Sequence, residues 1–136
     1  MTIKFTVPGA PFGKQRPRYG KGHTYTPQET REHEDLIAWE YRRQCGMRRF
    51  PEGSEMIMII TAYFPIPKRA NQELRGQMLD GKVNPTGKPD WDNIGKLVAD
   101  ALNDVAYDDD KNIIDAHVMK RYSDDPRTEI CIFDTE

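Results

Sequence analysis

The chain has 136 residues, of which 37% are hydrophobic and 31% are charged, so it is long enough for one hydrophobic core and too short for two ordinary ones. It contains no apolar run near the roughly 20 residues of a membrane-spanning helix, and its two cysteines, Cys45 and Cys131, lack the spacing of a zinc site or a disulfide framework. We therefore expect a single domain over residues 1–136. We place it in the cytoplasm, because its first residues also lack the pattern of a secretion signal.

The net charge of -2 conceals an uneven distribution along the chain. Residues 1–54 carry ten Lys/Arg against six Asp/Glu, residues 55–88 carry five against three, and residues 89–136 carry five against thirteen. A basic first part suits a polyanion such as nucleic acid, and an acidic last part suits a metal ion beside one of its phosphates. The alternative interpretation is that the charged surface is uneven without serving a function.

The first part of the chain predicts a strand, a basic loop and a helix. Apolar and polar residues alternate over residues 3–7, which is typical of a half-buried strand. The next stretch, PFGKQRPRYGKGHTYTP, predicts an ordered basic loop or a short hairpin. Its Tyr19 and Tyr25 either stack on nucleic-acid bases or pack within the hairpin. Pro27 then marks the first position of a helix, which continues until about Gly46 with apolar residues three and four apart.

The second part predicts a sheet with further helices. Residues 55–64 form an apolar, β-rich run that predicts a central strand covered on at least one face. A short helix at residues 72–78 and a loop follow. Apolar residues after Asp90 recur at the spacing of an amphipathic helix, and two strands at residues 114–118 and 128–133 complete the pattern. This order predicts an α+β domain with a mixed β-sheet and helices packed on one side.

The segment Asp90–Asp110 places a D-x-D pair at one end of the predicted helix and an acidic cluster at the other. Crowded carboxylates raise one another's pKa and destabilise the fold unless a cation lies among them, so the segment predicts a divalent metal site. In an extended segment Asp90 and Asp92 point to the same side, Asp92 begins the helix, and Lys96 lies one turn further on. The spacing leaves other interpretations open: Asp92 as an N-cap, Asp108–Asp110 as an acidic turn, and Lys96 as an ion-pair partner within the helix.

Two other kinds of site are excluded. A calcium-binding loop that starts at Asp108 fails, because Ile113 and Met119 stand where such a loop requires Gly and Glu. The three histidines are scattered without the spacing of a metal site or of a nucleophile with its base. They are His23, His33 and His117.

Two stretches of the chain are similar to one known family. The segment KPDWDNIGKLVADALND, followed by VAYDDDKNI, resembles the signature of the RusA family of Holliday-junction resolvases, found in bacteria and their phages. The strand and basic loop VPGAPFGKQRPRYGKGHTYTP are also similar to the opening of that family, so the resemblance covers most of the chain. The D-x-D-N-x-x-K and D-D-x-x-[VI] motifs match Asp90, Asp92, Asn93, Lys96, Asp109, Asp110 and Ile113.

The resemblance implies a homodimeric, magnesium-dependent endodeoxyribonuclease that introduces paired nicks into a four-way DNA junction during recombination and repair, in a host or a prophage. It implies three essential acids at Asp90, Asp92 and Asp110, a further metal ligand at Asp109, and a catalytic lysine at Lys96. Mg²⁺ is the expected cofactor, with Mn²⁺ as a substitute. We expect no small-molecule cofactor and no membrane partner.

The same hypothesis assigns basic residues to DNA phosphates, contacts that fix position without reading sequence. These residues are Lys14, Arg16, Arg18, Lys21 and Lys88. The stretch from the helix to the acidic cluster is slightly shorter than in the family's best-known member, which leaves the choice between Asp109 and Asp110 open. Residues 65–88 resemble an enlarged insert, which leaves the substrate range open. Two alternatives remain: a non-enzymatic nucleic-acid-binding protein, and a metal-dependent nuclease that acts on other branched DNA or on RNA.

Overall fold

The computed structural model describes residues 1–135, which form one four-stranded sheet, a separate two-stranded hairpin and three α-helices. In chain order the elements are β1 (Thr2–Pro8), β2 (Arg18–Gly20), β3 (His23–Tyr25), α1 (Gln28–Cys45), β4 (Met56–Pro65), α2 (Gln72–Leu79), α3 (Trp91–Ala101), a short 3-10 turn (Asp110–Asn112), β5 (Ile113–Ser123) and β6 (Arg127–Asp134). Among residues 1–135, none of the helices combines the length and the apolar composition that crossing a bilayer requires.

The main sheet has the strand order β1-β6-β4-β5. β4 pairs parallel with β5 and antiparallel with β6, while β1 pairs antiparallel with β6. A parallel pair needs a long crossover connection, and α2 and α3 supply it between β4 and β5. The predicted α+β class, the mixed sheet and the central position of β4 are confirmed.

The hydrophobic core lies between one face of this sheet and the helices α1 and α3. Every second residue of β1, β4 and β6 is buried on that face, as expected for strands covered on one side. The helices contribute an apolar stripe each, and α3 packs against both α1 and β5. The largest fully buried side chains in this core are Tyr41, Tyr107, Phe50, Ile3, Met56, Met58, Ile60, Ile94, Leu102, Ile130, Ile132 and Val98. The predicted packing of helices on one side of the sheet therefore holds for α1 and α3.

Two element boundaries differ from the predictions made on sequence. Pro27 is the N-cap of α1 rather than its first residue, because its backbone is extended, with φ -55° and ψ 143°. β5 continues to Ser123, well past the predicted strand. Its Ile114 is 57% exposed, because β5 is an edge strand and the helices cover only part of it. The apolar alternation at residues 114–118 thus identifies a strand but not a core face.

Candidate functional site

The D-x-D pair lies at the start of α3, with Asp90 as the N-cap and Asp92 in the first turn. The pair is not an extended segment, which is the condition under which both side chains would point to the same side. The N–H of Ile94 donates to the carbonyl of Asp90 at 3.1 Å, which makes Trp91 the first helical residue, so the two carboxylates are not aligned by strand periodicity. The Asp90 carboxylate makes no capping hydrogen bond and is available to another group. Asp92 is exposed at the end of the helix where the dipole favours a negative charge.

A groove with a volume of 610 Å³ lies between the basic loop (residues 11–17) and the start of α3. Three of the predicted DNA-contacting side chains line it, namely Lys14, Arg16 and Lys88, and Asp90 lies on the same groove. Cations along a groove neutralise the phosphates of a nucleic-acid strand, and a carboxylate at its edge is a ligand that Mg²⁺ prefers. The fold therefore brings part of the predicted phosphate-binding set and one predicted metal ligand together.

The two walls of the groove approach closely at Gly13. The backbone N–H of Lys14 donates to the carbonyl of Asn93 at 2.8 Å. A Cβ atom on Gly13 would lie 2.6 Å from the Cβ of Pro89 and 3.2 Å from the Cβ of Asn93. Only glycine allows the basic loop to lie this close to α3 without displacing one of the walls.

The side chain of Lys14 joins the basic loop to both core helices. Its Nζ lies 2.5 Å from Asp100 Oδ2 on α3 and 3.3 Å from Glu34 Oε2 on α1. Only 19% of the Lys14 side chain, 24% of Asp100 and 20% of Glu34 are exposed. Burial by itself lowers the pKa of Lys14, but its ion pairs with Asp100 and Glu34 outweigh that effect and raise it. The Lys14 ammonium is thus engaged by two carboxylates, although the sequence predicts a phosphate contact.

The acidic cluster lies at the opposite end of α3 from Asp90. Tyr107 is buried, and its hydroxyl donates to the carbonyl of Ala99 at 2.8 Å. The N–H of Asp110 donates to the side-chain oxygen of Asn103 at 3.0 Å, so the chain turns back onto the end of the helix. Since α3 has 11 residues, it is about 16 Å long. The fold of the chain therefore places Asp110 at the opposite end of α3 from Asp90.

The three aspartates of the cluster have different surroundings. Asp108 forms an ion pair with Arg49. Asp109 accepts a hydrogen bond from the backbone N–H of Lys111 at 2.8 Å, and this bond, followed by a contact with Asp110, lowers the pKa of Asp109. The carboxylates of Asp108 and Asp109 thus each have a partner within the fold.

Asp110 differs from Asp108 and Asp109 in its titration: within residues 1–135 it has no ion pair such as that of Asp108, and its pKa is raised where that of Asp109 is lowered. Burial raises the pKa of Asp110, and the contact with Asp109 and the negative charge of Asp100 raise it further. The negative charges of Asp100 and Asp109 therefore crowd Asp110 at the end of α3, although the three carboxylates do not by themselves form a group that could hold a metal ion. Such crowding is relieved when a cation binds.

The acid groups of the described residues are small. In the part of the chain that the structure describes, no cluster of three or more His, Cys, Asp or Glu side chains could hold a metal ion. Mg²⁺ commonly takes one or two carboxylates together with substrate phosphates and water. The acids at the start of α3 fit that requirement, since they are oxygen ligands beside a cationic groove. The joining of Asp90 and Asp92 to Asp110 stays a prediction.

The remaining predicted cations lie outside the groove. Lys96 is exposed on α3, one turn after Asp92. Arg18 and Lys21 lie on the β2–β3 hairpin, which follows directly from the groove wall at Arg16.

Sequence reasoning missed Asp100 and Glu34 as partners of the basic loop. A signal for Glu34 exists, because it falls between Thr30 and Ile37 on the inward face of α1, where a charged residue needs a partner. No such signal exists for Asp100. It lies 86 positions from Lys14, and only the tertiary fold brings them together.

The chain is similar to known proteins over most of its length. The family model described as Endodeoxyribonuclease RusA matches residues 8–133. The chain is also 35% identical over 139 residues to the uncharacterized protein YqaN of Bacillus subtilis (strain 168), an alignment that covers 96% of this chain and 94% of that protein. The family match includes the basic loop, the groove, α3 and the acidic cluster.

Proposed function

Because the chain belongs to the RusA family of endodeoxyribonucleases, we propose that it resolves four-way DNA junctions by paired nicks, in recombination and repair, with Mg²⁺ as its cofactor. One observation supports this proposal above the others: the groove lined by Lys14, Arg16 and Lys88 has Asp90 on its wall. Its cations suit a DNA strand, and the carboxylate suits the ion that hydrolysis of a phosphodiester requires.

In the proposed site, Asp90 and Asp92 would hold Mg²⁺, with Asp110 as a third ligand. When bound, such an ion polarises the phosphate and lowers the pKa of a coordinated water. The crowding around Asp110 supports its role, and the pairing of Asp109 with a backbone N–H favours Asp110 over Asp109. Because α3 separates Asp110 from Asp90, the proposal requires DNA or a second subunit to complete the set of oxygen ligands.

The other side chains of the site act on the DNA. Lys96 places a point charge one turn above Asp92, where its ammonium steadies a phosphate oxygen as negative charge develops. Arg16 and Lys88 neutralise phosphates that flank the scissile one, and they do so without reading the base sequence.

Paired nicks require two sites, and a two-fold dimer would place them on two strands of a symmetric junction. The face of the sheet that α1 and α3 do not cover supports such pairing. Ile57 and Ile59 of β4 lie on it beside Phe133 and Cys131 of β6, and all four are partly exposed. Apolar surface of this kind is typical of protein interfaces.

The decisive experiment is incubation of the protein with a synthetic four-way junction, with and without Mg²⁺, followed by mapping of the cut positions. We expect symmetric nicks in two strands only when Mg²⁺ is present. Flapped DNA, linear duplex and RNA serve as comparison substrates. Preferential cutting of one of these would favour the nuclease with another target, and binding of the junction without cleavage in any divalent ion would favour a non-enzymatic binding protein.

Metal binding should also be visible in the stability of the protein. At a Mg²⁺ or Mn²⁺ concentration ten times the Kd, a ligand of the native state adds about 1.4 kcal/mol to the free energy of unfolding. The melting temperature should therefore rise by about 3–6 °C.

Asp110→Asn should make this metal-induced rise in melting temperature smaller. The same substitution should raise the melting temperature without metal at pH 7, because the raised pKa of Asp110 means that its ionisation costs stability above pH 3.8. An equal metal shift in the wild type and the variant would remove Asp110 from the ligand set.

A further inference from the structure

The β2–β3 hairpin is the most exposed element of the described chain. Of its six strand residues, only Gly20 is even partly buried. Its turn consists of Lys21 and Gly22, with φ of 51° and 81°, the positive values of a type I′ turn. Lysine seldom adopts a positive φ, so the tip of the hairpin presents a cation at a position where glycine or asparagine is the usual residue.

Both ends of the hairpin are anchored beside the groove. Before it, Gln15 donates its N–H to the hydroxyl of buried Thr30 at 3.3 Å, and that hydroxyl donates to the side-chain oxygen of Gln15 at 3.2 Å. After it, Pro27 is buried at the start of α1. Tyr19 follows Arg16 by three residues, so their Cα atoms are at most about 11 Å apart. The hairpin is therefore held next to the groove wall that Arg16 lines.

The two tyrosines of the hairpin lie on opposite faces and differ in their surroundings. The register pairs Arg18 with Tyr25 and Tyr19 with Thr24, which places Tyr25 on the same face as Gly20 and Tyr19 on the other. A Cβ atom on Gly20 would lie 3.1 Å from the Tyr25 ring, so that ring packs on the glycine. Tyr19 is 75% exposed, and no residue within 1–135 stacks on it or bonds to its hydroxyl.

The surroundings of Tyr19 are strongly cationic. Residues 11–25 contain four Lys/Arg and no Asp/Glu. Within the described chain only Lys14 of this group is engaged by carboxylates. Arg16, Arg18 and Lys21 therefore remain to bind the phosphates of a nucleic-acid strand that passes along the hairpin.

We propose that Tyr19 is a stacking platform for an unpaired DNA base, a role that rests on the proposed function and adds a second point of contact to it. An exposed aromatic ring among cations is the combination by which proteins bind single strands without sequence preference. Bases of an intact duplex are stacked on one another and do not offer a face to the ring. The hairpin thus distinguishes unpaired nucleotides, such as those at the centre of a branched DNA, from regular duplex.

The test measures binding of the full chain, in buffer without divalent ions, to three probes: a single-stranded oligonucleotide, a four-way junction with unpaired nucleotides at its centre, and a linear duplex. Tyr19→Ala should weaken binding of the first two probes by about 5- to 150-fold, the range for loss of one base–aromatic stack. Binding of the duplex should not change. Tyr19→Phe should retain wild-type binding of all three probes, because it keeps the ring.

Thr24→Ala is the matched control, since Thr24 lies opposite Tyr19 on the same face without a ring. Wild-type binding of the single strand by Tyr19→Ala would overturn the proposal, and so would an equal loss on the duplex, which indicates a general effect on the hairpin. The melting temperature of each variant shows whether the fold is intact. A wild type that fails to cut junctions while Tyr19→Ala still loses single-strand binding would refute the proposed nuclease and leave the stacking site standing.

Discussion

Replacement of Asp90 by Asn is expected to reduce Mg²⁺-dependent cleavage of a four-way junction by about 10³-fold or more, because the ion contributes several kcal/mol to the transition state. Asp90 lies on the wall of the cationic groove, and its carboxylate has no capping hydrogen bond that the substitution would break. Asparagine has the same shape and is an equally good N-cap, so α3 should form as before. The substitution therefore removes a charged metal ligand and little else.

Single-turnover cleavage and an electrophoretic binding assay separate the two effects. Binding of the junction should change by less than about threefold, since the cations of the groove supply most of the affinity for phosphates. Asp80→Asn is the matched control, because Asp80 is exposed at the end of α2 and does not line the groove. Full cleavage by Asp90→Asn would contradict the assignment, and a parallel loss of binding would show that Asp90 has a structural role instead.

Replacement of Lys14 by Met is expected to lower the free energy of unfolding by about 2 kcal/mol, less than the roughly 3–5 kcal/mol for one partner of a fully buried ion pair. Methionine keeps the length of the side chain but leaves Asp100 and Glu34 without their cation, with Asp110 adding further negative charge. The basic loop would also lose its side-chain tie to α1 and α3. We expect weaker DNA binding as a consequence, because the cations of the loop would no longer be held beside the groove.

Urea unfolding at pH 7 measures this loss of stability, with Lys82→Met as a control at an exposed site. The double variant Lys14→Met, Asp100→Asn should recover part of the loss, since neutral Asn no longer needs a counter-charge. The pKa of Lys14 is raised in the fold, so its contribution is present below the ordinary value of 10.5 and disappears as the pH rises through the folded-state value. Equal effects of Lys14→Met and Lys82→Met at pH 7 would show that the ion pairs contribute nothing.

The acidic motif and the resemblance to a nuclease family were enough to predict which part of the chain holds the candidate site. The conformation and the contacts of the residues within that part could not be predicted in the same way. An extended D-x-D pair would point both carboxylates to one side, but the helix begins at Trp91 and places Asp92 within its first turn. The DNA contact of Lys14 stays a prediction, and the structure adds two carboxylate partners that the sequence did not indicate. In both places one local pattern permits two conformations or two partners.

Most elements of this protein, its class of fold and its family can be predicted from the order of its residues. The apolar run of β4 and the spacing of Ile94, Leu97 and Val98 in α3 express the periods of strand and helix, which depend on backbone geometry over a few residues. The contact of Lys14 with Asp100 across 86 positions follows only from the packing of the whole chain, as does the position of Asp110 at the opposite end of α3 from Asp90. Such contacts depend on how segments that are distant in the chain pack together. This packing produces no repeating pattern of residue types in the sequence.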